Sequence, residues 1–177
     1  MHVVLFFTFD YSLKLWNETK ILQREEIYYK NLFDIFEDFY ISFVTYCDED
    51  DYNFFQDLER VDILPIYDHI KYNKSKIIRF IKSFYFPYII RKNTTNVDII
   101  KQFQLYGSWV SILYKKLINK PLIIRTGYDM YKFSINENKS LFKQYLYKQL
   151  TRLSLKNSDL YTVTTNQDES FLNTNFK

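Results

Sequence analysis

Glycine is almost missing from this chain. Its 177 residues include two, Gly107 and Gly127, and no alanine. The segment after the first apolar run, FTFDYSLKLW, therefore lacks the glycine-rich turn that a dinucleotide-binding site needs to bring backbone amides onto a pyrophosphate. The single Cys47 excludes an intrachain disulfide and a cysteine-rich zinc site, and suits a reducing compartment. With only His2 and His69, a histidine-based metal centre is disfavoured as well. The net charge of +3 is too small to imply a nucleic-acid partner. No run reaches the roughly 18 uncharged apolar residues of a membrane span. The opening HVVLFFTFDY is short, has no basic lead and no small-residue cleavage site, so it reads as a core strand. No internal repeat is visible.

What is present is hydrophobic and aromatic, 47% and 20% of the residues. That is a globular composition with material for one sizeable core. The abundance of Ile, Lys, Asn, Phe and Tyr reads as an AT-rich coding bias, which lowers the weight of any single lysine or aromatic. The most informative stretch is Val97 to Tyr128, which reads as buried strand, loop, helix, buried strand, loop. Each glycine follows one of those strands, where a residue free to take positive φ allows the chain to turn.

Apolar runs place strands at Val3–Thr8, Phe39–Tyr46, Val61–Tyr67, Val97–Gln102, Leu122–Arg125 and Leu160–Thr164. Phe9 to Lys20 reads as a polar loop with an exposed Trp16. Helical spacing covers Ile21–Phe36, with Ile21, Tyr28, Leu32 and Ile35 on one side and Glu18, Glu25 and Glu26 near the start, where the helix dipole favours acids. Between Asp68 and Lys92 a helix carries Ile77, Ile78, Ile81, Phe84, Tyr85 and Tyr88, and Pro87 kinks or ends it. Ser108–Ile118 is a further helix, and Phe142, Leu146, Leu150 and Leu153 form the stripe of the next. Strands alternating with helices predict an α/β fold, a Rossmann-like doubly wound parallel sheet. Its order should be 3-2-1-4-5-6, with the ligand crevice at the switch between strands one and four. The chain stops at Lys177 in what reads as the first turns of a helix, as if it were the amino-terminal part of something larger.

Six segments carry a family resemblance: SLKLW, QREEIYYKNL, FVTYCDEDD, VDIIKQFQLYGSW, NKPLIIRTGYDMYKF and LTRLSLKNSDLYTVTT. In this order and spacing they resemble the amino-terminal, acceptor-side domain of family 4 glycosyltransferases, a group of the GT-B type. The most telling are Arg24-Glu25 with Tyr28, the block KPLIIRTGY, and Ser158-Asp159 leading into a strand. The resemblance implies transfer of a sugar, with retention, from a nucleotide-sugar donor to the hydroxyl of a sugar, lipid-linked or glycan acceptor, in polysaccharide, lipopolysaccharide or other glycoconjugate synthesis. It implies no separate cofactor, no metal and a cytoplasmic location. It also implies that the carboxyl-terminal nucleotide-sugar domain lies outside this chain, which by itself would bind acceptor weakly and not turn over. The chain departs from the family twice. Lys20 stands where the loop after strand one usually has a glycine close to the donor phosphate. Lys101, Gln102, Phe103 and Gln104 stand where many members have a sugar-contacting histidine.

Several residues follow as candidates. Arg24, in the first turn of its helix, could meet an acceptor carboxylate, a phosphate or the donor diphosphate, or pair with a glutamate one turn away. Trp16 could stack on a sugar ring or plug the helix beneath it. Gln102 and Gln104 could hydrogen-bond hydroxyls, and cannot serve as general bases. Arg125 could hold an acceptor anion, or pair with Asp129 or Asp98. Tyr128 completes the acceptor side, and Lys20 lies in the vicinity of the donor phosphate.

Asp48-Glu49-Asp50 imitates a metal-binding DxD pattern, but within a run of acids it reads as a solvated loop. Lys74, Lys76, Arg79, Lys82, Arg91 and Lys92 flank an apolar stripe. They suggest either peripheral contact with an anionic membrane, at its inner face, or a sheet-covering helix with snorkelling lysines. The rival to the transferase is a non-catalytic flavodoxin-like or partner-binding module.

Overall fold

The computed structural model describes residues 1–56 and 58–176. Six parallel strands form one sheet: β1 (His2–Phe6), β2 (Tyr40–Thr45), β3 (Val61–Pro65), β4 (Ile99–Phe103), β5 (Leu122–Arg125) and β6 (Leu160–Thr162). Their order is β3-β2-β1-β4-β5-β6, the doubly wound order expected. The register aligns Phe6 with Gln102 across the central pair and Phe103 with Arg125 across the next. After His2, β1 is apolar because both faces of the sheet are covered there, and Val4, Leu5, Phe6 and Phe7 are all fully buried, while the neighbouring β4 carries Lys101 and Gln102.

The helices are α1 (Leu13–Glu18), α2 (Ile21–Ile35), α3 (Ile66–His69), α4 (Lys76–Ser83), α5 (Phe86–Asn93), α6 (Ser108–Ile118), α7 (Met130–Asn136), α8 (Leu141–Asn157) and α9 (Asn166–Asn175). A short 3-10 helix spans Glu49–Asn53. The basic segment splits as Pro87 requires, with that proline in the first turn of α5. Among the described residues, no helix is long and apolar enough to cross a membrane.

Three local expectations are corrected. The stretch after β1 is not all loop. Ser12 Oγ accepts from the Leu15 amide at 3.1 Å and starts α1. The second helix buries Leu22, Glu25, Tyr29 and Phe33, one position round from the stripe anticipated, and leaves Tyr28 and Ile35 exposed. Finally, Asp48, Glu49 and Asp50 are solvated but Asp51 is buried, with Oδ1 accepting from the Lys14 amide at 3.3 Å at the start of α1. Desolvation raises the Asp51 carboxyl above its ordinary value, and hydrogen bonds to it offset part of the rise.

The carboxyl edge of the sheet is drawn together at the switch. Thr8 Oγ1 donates to the Phe103 carbonyl at 3.0 Å, and the Phe9 amide to the Tyr106 carbonyl at 2.9 Å. Gly107 sits there at φ +107, where an added Cβ would lie 2.9 Å from the Phe9 nitrogen. Gly127 has no positive φ. Its close neighbour is the Gln104 side chain, whose Nε2 lies 3.1 Å from the position of a Cβ. Gly107→Ala should therefore destabilise the fold by about 2 kcal/mol or more, and Gly127→Ala by less than about 1 kcal/mol, as read by denaturant unfolding.

At the far end of the sheet, Asp159 Oδ2 accepts from Lys115 Nζ and from the Leu122 amide, both at 2.6 Å. Lys115 first, then that amide, hold the carboxyl below its ordinary value. A depressed carboxyl stabilises the fold above its unfolded pKa, and that stabilisation is lost as the pH falls through the folded one. Asp159→Asn should thus be less stable than the parent at neutral pH, with the difference closing below about pH 4 in urea titrations run at a series of pH values.

Candidate functional site

The loops leaving β1, β4 and β5 meet at one edge. The Gln104 amide donates to the Arg125 carbonyl at 2.8 Å, and Gln104 Oε1 accepts from the Gly127 amide at 2.9 Å. Thr164 Oγ1 closes the next loop on the Gly127 carbonyl at 2.7 Å. Gln104 takes φ +76 and Asp10 takes φ +66, conformations that cost about 1–2 kcal/mol away from glycine and concentrate at functional edges.

Under this edge lies an ionic cluster built on Glu25. Its carboxylate is 4% exposed, on the inward face of α2. Arg24 reaches back to it, NH2 to Oε1 at 2.8 Å, and Arg125 approaches the same oxygen at 3.9 Å from β5. Lys101, on β4, stands beside them with its Nζ over the Tyr28 ring, 5.4 Å from the centroid. Burial, then the neighbouring Arg125, push this lysine below its ordinary pKa, while Glu25 offsets part of the shift. Tyr29 closes the floor, its hydroxyl pushed well above its usual value by burial first and by Glu25 second. Arg24 and Arg125 share one carboxylate with Lys101 close by, so basic groups outnumber the acid in this cluster. The Arg24 side chain, 64% exposed, presents its charge to solvent. Chemically this is a seat for an anion.

The seven anticipated residues separate into two sets. Arg24, Arg125 and Gln104 are brought together by the contacts above. Tyr128 is half exposed on the loop that follows Gly127, tilted against Phe133 at 5.4 Å, with Tyr11 and Tyr147 near its hydroxyl. Lys20 is exposed at the joint between α1 and α2 at φ +59, so its backbone does adopt the conformation for which glycine is suited. Trp16 and Gln102 are not at the surface. Trp16 is 0% exposed, stacked on Phe7 at 3.9 Å and tilted to Phe103 at 4.8 Å, because the turn of α1 points it into the sheet. Gln102 is equally buried, its Nε2 donating to the Phe7 carbonyl at 3.2 Å. Both support the edge from beneath, and neither can touch an acceptor.

Two contributors were not anticipated. In sequence Glu25 reads as one of the acids that the helix dipole favours, and the structure buries it. Its signal was its position, in register with Leu22, Tyr29 and Phe33 on an otherwise apolar face. The other is the pair Asp10 and Arg79, bidentate at 2.9 and 2.8 Å, which ties the loop after β1 to α4. Arg79 also donates to the carbonyls of Asn73 and Lys74, so it is a strut and not a surface charge.

A concavity of about 440 Å³ lies at the opposite edge, around His2, Ser42, Asp62, Thr95 and Asp98. Its polar groups are occupied with one another. His2 Nδ1 faces the Thr95 carbonyl at 2.9 Å, His2 Nε2 faces Ser42 Oγ at 2.8 Å, and Asp98 accepts from the His2 amide at 2.8 Å. In a parallel α/β sheet the amino edge is the structural one, and loops at the carboxyl edge carry ligands. The edge bearing Arg24 and Arg125 is therefore the candidate.

Comparison with solved structures returns the same fold in a glycosyltransferase. The sucrose-phosphate synthase of Thermosynechococcus elongatus superposes with a TM-score of 0.64 at 11% identity, over 98% of this chain. The chain spans 45% of that enzyme's length. No family model matches the chain, and no curated protein matches it in sequence. At that identity the likeness establishes the fold, a Rossmann-like sheet of the kind a GT-B glycosyltransferase uses.

Glu25→Gln should leave Arg24, Arg125 and Lys101 facing one another without a counter-charge and destabilise the fold by about 1–3 kcal/mol. Adding Lys101→Met should recover part of that loss in a double-mutant cycle. Additive losses would mean that the lysine and the glutamate do not interact.

Proposed function

We propose that this chain is the acceptor-side half of a family 4-like GT-B glycosyltransferase, working with a nucleotide-sugar-binding half outside the 177 residues. The observation that carries the proposal is the fold match across nearly the whole chain to less than half of a glycosyltransferase. The charge surplus at Arg24 and Arg125 supports it, since sugar phosphates, acidic sugars and lipid-linked diphosphates all present anions.

The reaction is a retaining transfer. The bond from the anomeric carbon to the diphosphate oxygen breaks, a bond from the acceptor oxygen to that carbon forms on the same face, and the hydroxyl proton passes to the departing phosphate oxygen. Arg24 and Arg125 hold the acceptor's anionic group. Gln104 and Tyr128 border its sugar through the side-chain amide and the ring. Lys20 offers charge to the donor phosphate across the crevice. The donor is a nucleotide-sugar, with no further cofactor. The acceptor is a sugar, a glycan or a lipid-linked glycan at the cytoplasmic side. The product belongs to polysaccharide, lipopolysaccharide or other glycoconjugate synthesis.

The test is a titration of the chain with sugar phosphates, followed residue by residue by NMR. Shifts should cluster at Arg24, Gln104, Arg125 and Tyr128, with Arg24→Ala weakening binding roughly tenfold, the loss of about 1.5 kcal/mol that one charge-assisted hydrogen bond carries. In the full-length protein the same substitution should depress transfer from a nucleotide-sugar. Shifts confined to the concavity around His2, or none at all, would refute this assignment of the site.

A further inference from the structure

The modest net charge of the chain conceals a sharp division. Residues 69–97 and 138–158 contain twelve of the 24 Lys and Arg and none of the 21 Asp and Glu. Elsewhere twelve basic residues face all 21 acids. Within the first basic segment, Arg79 alone is bound by a carboxylate among the described residues, that of Asp10. Lys74, Arg91, Lys92 and Lys143 lie exposed.

The same two segments carry the two most exposed large apolar side chains among the described residues, Leu141 and Ile77. On α4, Ile77 is 73% and Ile81 63% exposed, and the series continues through Phe84, Tyr85 and Tyr88 at helical spacing. On α8, Leu141 is 83% and Phe142 69% exposed, followed by Tyr145 and Leu146. A helix that only covers a sheet turns such residues inward. Here α4 turns Ser83 inward, where its hydroxyl accepts from Trp109 Nε1 at 2.8 Å, and leaves the isoleucines out.

The two helices border the same turn of the fold. Trp109 holds Ser83 of α4, and its neighbour Ser108 pairs with Ser154 of α8, Oγ to Oγ at 2.8 Å. Both residues belong to the first turn of α6, just beyond the carboxyl end of β4, so the two acid-free helices each contact that one turn.

We propose that α4, the start of α5 and the amino-terminal half of α8 form a docking surface for an anionic lipid membrane. The occupant follows from the chemistry. Aliphatic Ile77, Ile81 and Leu141 suit the boundary between headgroups and acyl chains, into which a surface-lying amphipathic helix sinks about 5–10 Å. The surrounding lysines and arginines, with no acid among them, suit anionic headgroups. A second copy docking through the same surface would set lysines against lysines. A nucleic acid would leave the isoleucines and leucines without a partner. The inference stands apart from the proposed transfer reaction and does not need it.

Vesicle co-sedimentation of the chain tests it. The protein should pellet with mixed phosphatidylcholine–phosphatidylglycerol vesicles, remain in solution with phosphatidylcholine alone, and be released by high salt. Removing Lys74 or Lys92 should weaken binding roughly five-fold each, from about 1 kcal/mol per basic residue near the surface. Ile81→Asp and Leu141→Asp should each weaken it by roughly tenfold or more while leaving the circular dichroism spectrum intact, since both sites are exposed. The proposal is overturned by equal binding to neutral vesicles, by binding that Ile81→Asp leaves unchanged, by a solution dimer that Ile81→Asp disperses, or by binding to short RNA without binding to lipid.

Discussion

The hydrogen bond from the Phe9 amide to the Tyr106 carbonyl, with Gly107 pressed against Phe9, is the constraint on which this fold turns. In a doubly wound sheet the chain leaves the two central strands in opposite directions, and the loops diverge to make room for a ligand. Here they are pinned at their bases before they part. Thr8 and Gln102 add side-chain bonds across the same pair of strands, to the carbonyls of Phe103 and Phe7. A residue with a Cβ at Gly107 would push these loops apart, and the second shared edge, between Gln104 and Gly127, would lose its base. In a chain with two glycines, both stand where the candidate edge is assembled.

The electrostatics of that edge follow from one buried carboxylate. Had position 25 been apolar, like Leu22, Tyr29 and Phe33 on the same face, Lys101 would lie under Arg125 with no counter-charge, and like charges that close raise the energy of both. Glu25 resolves this only in part. One carboxylate against three bases holds them in place without cancelling them, so Arg24 stays charged, ordered and exposed. A binding site for an anion needs both the order and the uncompensated charge, because a cation wholly neutralised within the protein has little left to offer a ligand.

The parts of this fold legible in the sequence were those set by burial on both faces of a strand. β1 and β5 are mostly Val, Leu, Phe and Ile, β4 opens on two isoleucines, and the strand order follows from the need for right-handed crossovers. What escaped were features set by a single polar contact. The short α1 depends on the Ser12 cap and the Asp51 side chain, which arrives from after β2, a distance no periodicity reports. Once α1 forms, Trp16 must face Phe7, so a residue that looked like a surface aromatic became core. The buried face of α2 is hard to read because Glu25 interrupts the apolar stripe at 22, 29 and 33 with a charge that is ordinarily exposed. Of the site, the cations on α2 and β5 were legible, as was the glutamine after β4. Their common partner was not. Gln102 and Gln104 share a parity, so alternation alone sends both to one face; β4 ends at Phe103, and the positive φ of Gln104 breaks the alternation, leaving Gln102 inside and Gln104 at the edge.

The salt bridge between Asp10 and Arg79 joins the loop at the candidate edge to α4 mechanically. Asp10 sits at φ +66 in the loop after β1, one step from the residue that pins β1 to β4. Arg79 sits on α4, between Ile78 and Phe80, with its Nε and NH2 committed to that carboxylate. The acidic partner neutralises the one base of α4 that points into the protein and leaves the outward lysines as they are. A helix that rests on a lipid surface while bolted to the loop at the crevice has its position fixed relative to that crevice. An acceptor embedded in the same surface would then meet the edge bearing Arg24 and Arg125 at a constant height, whereas a docking helix on a flexible tether would leave that height undefined. Under the proposed docking, charge segregation would bring the chain to the surface, and the strut would set its orientation there.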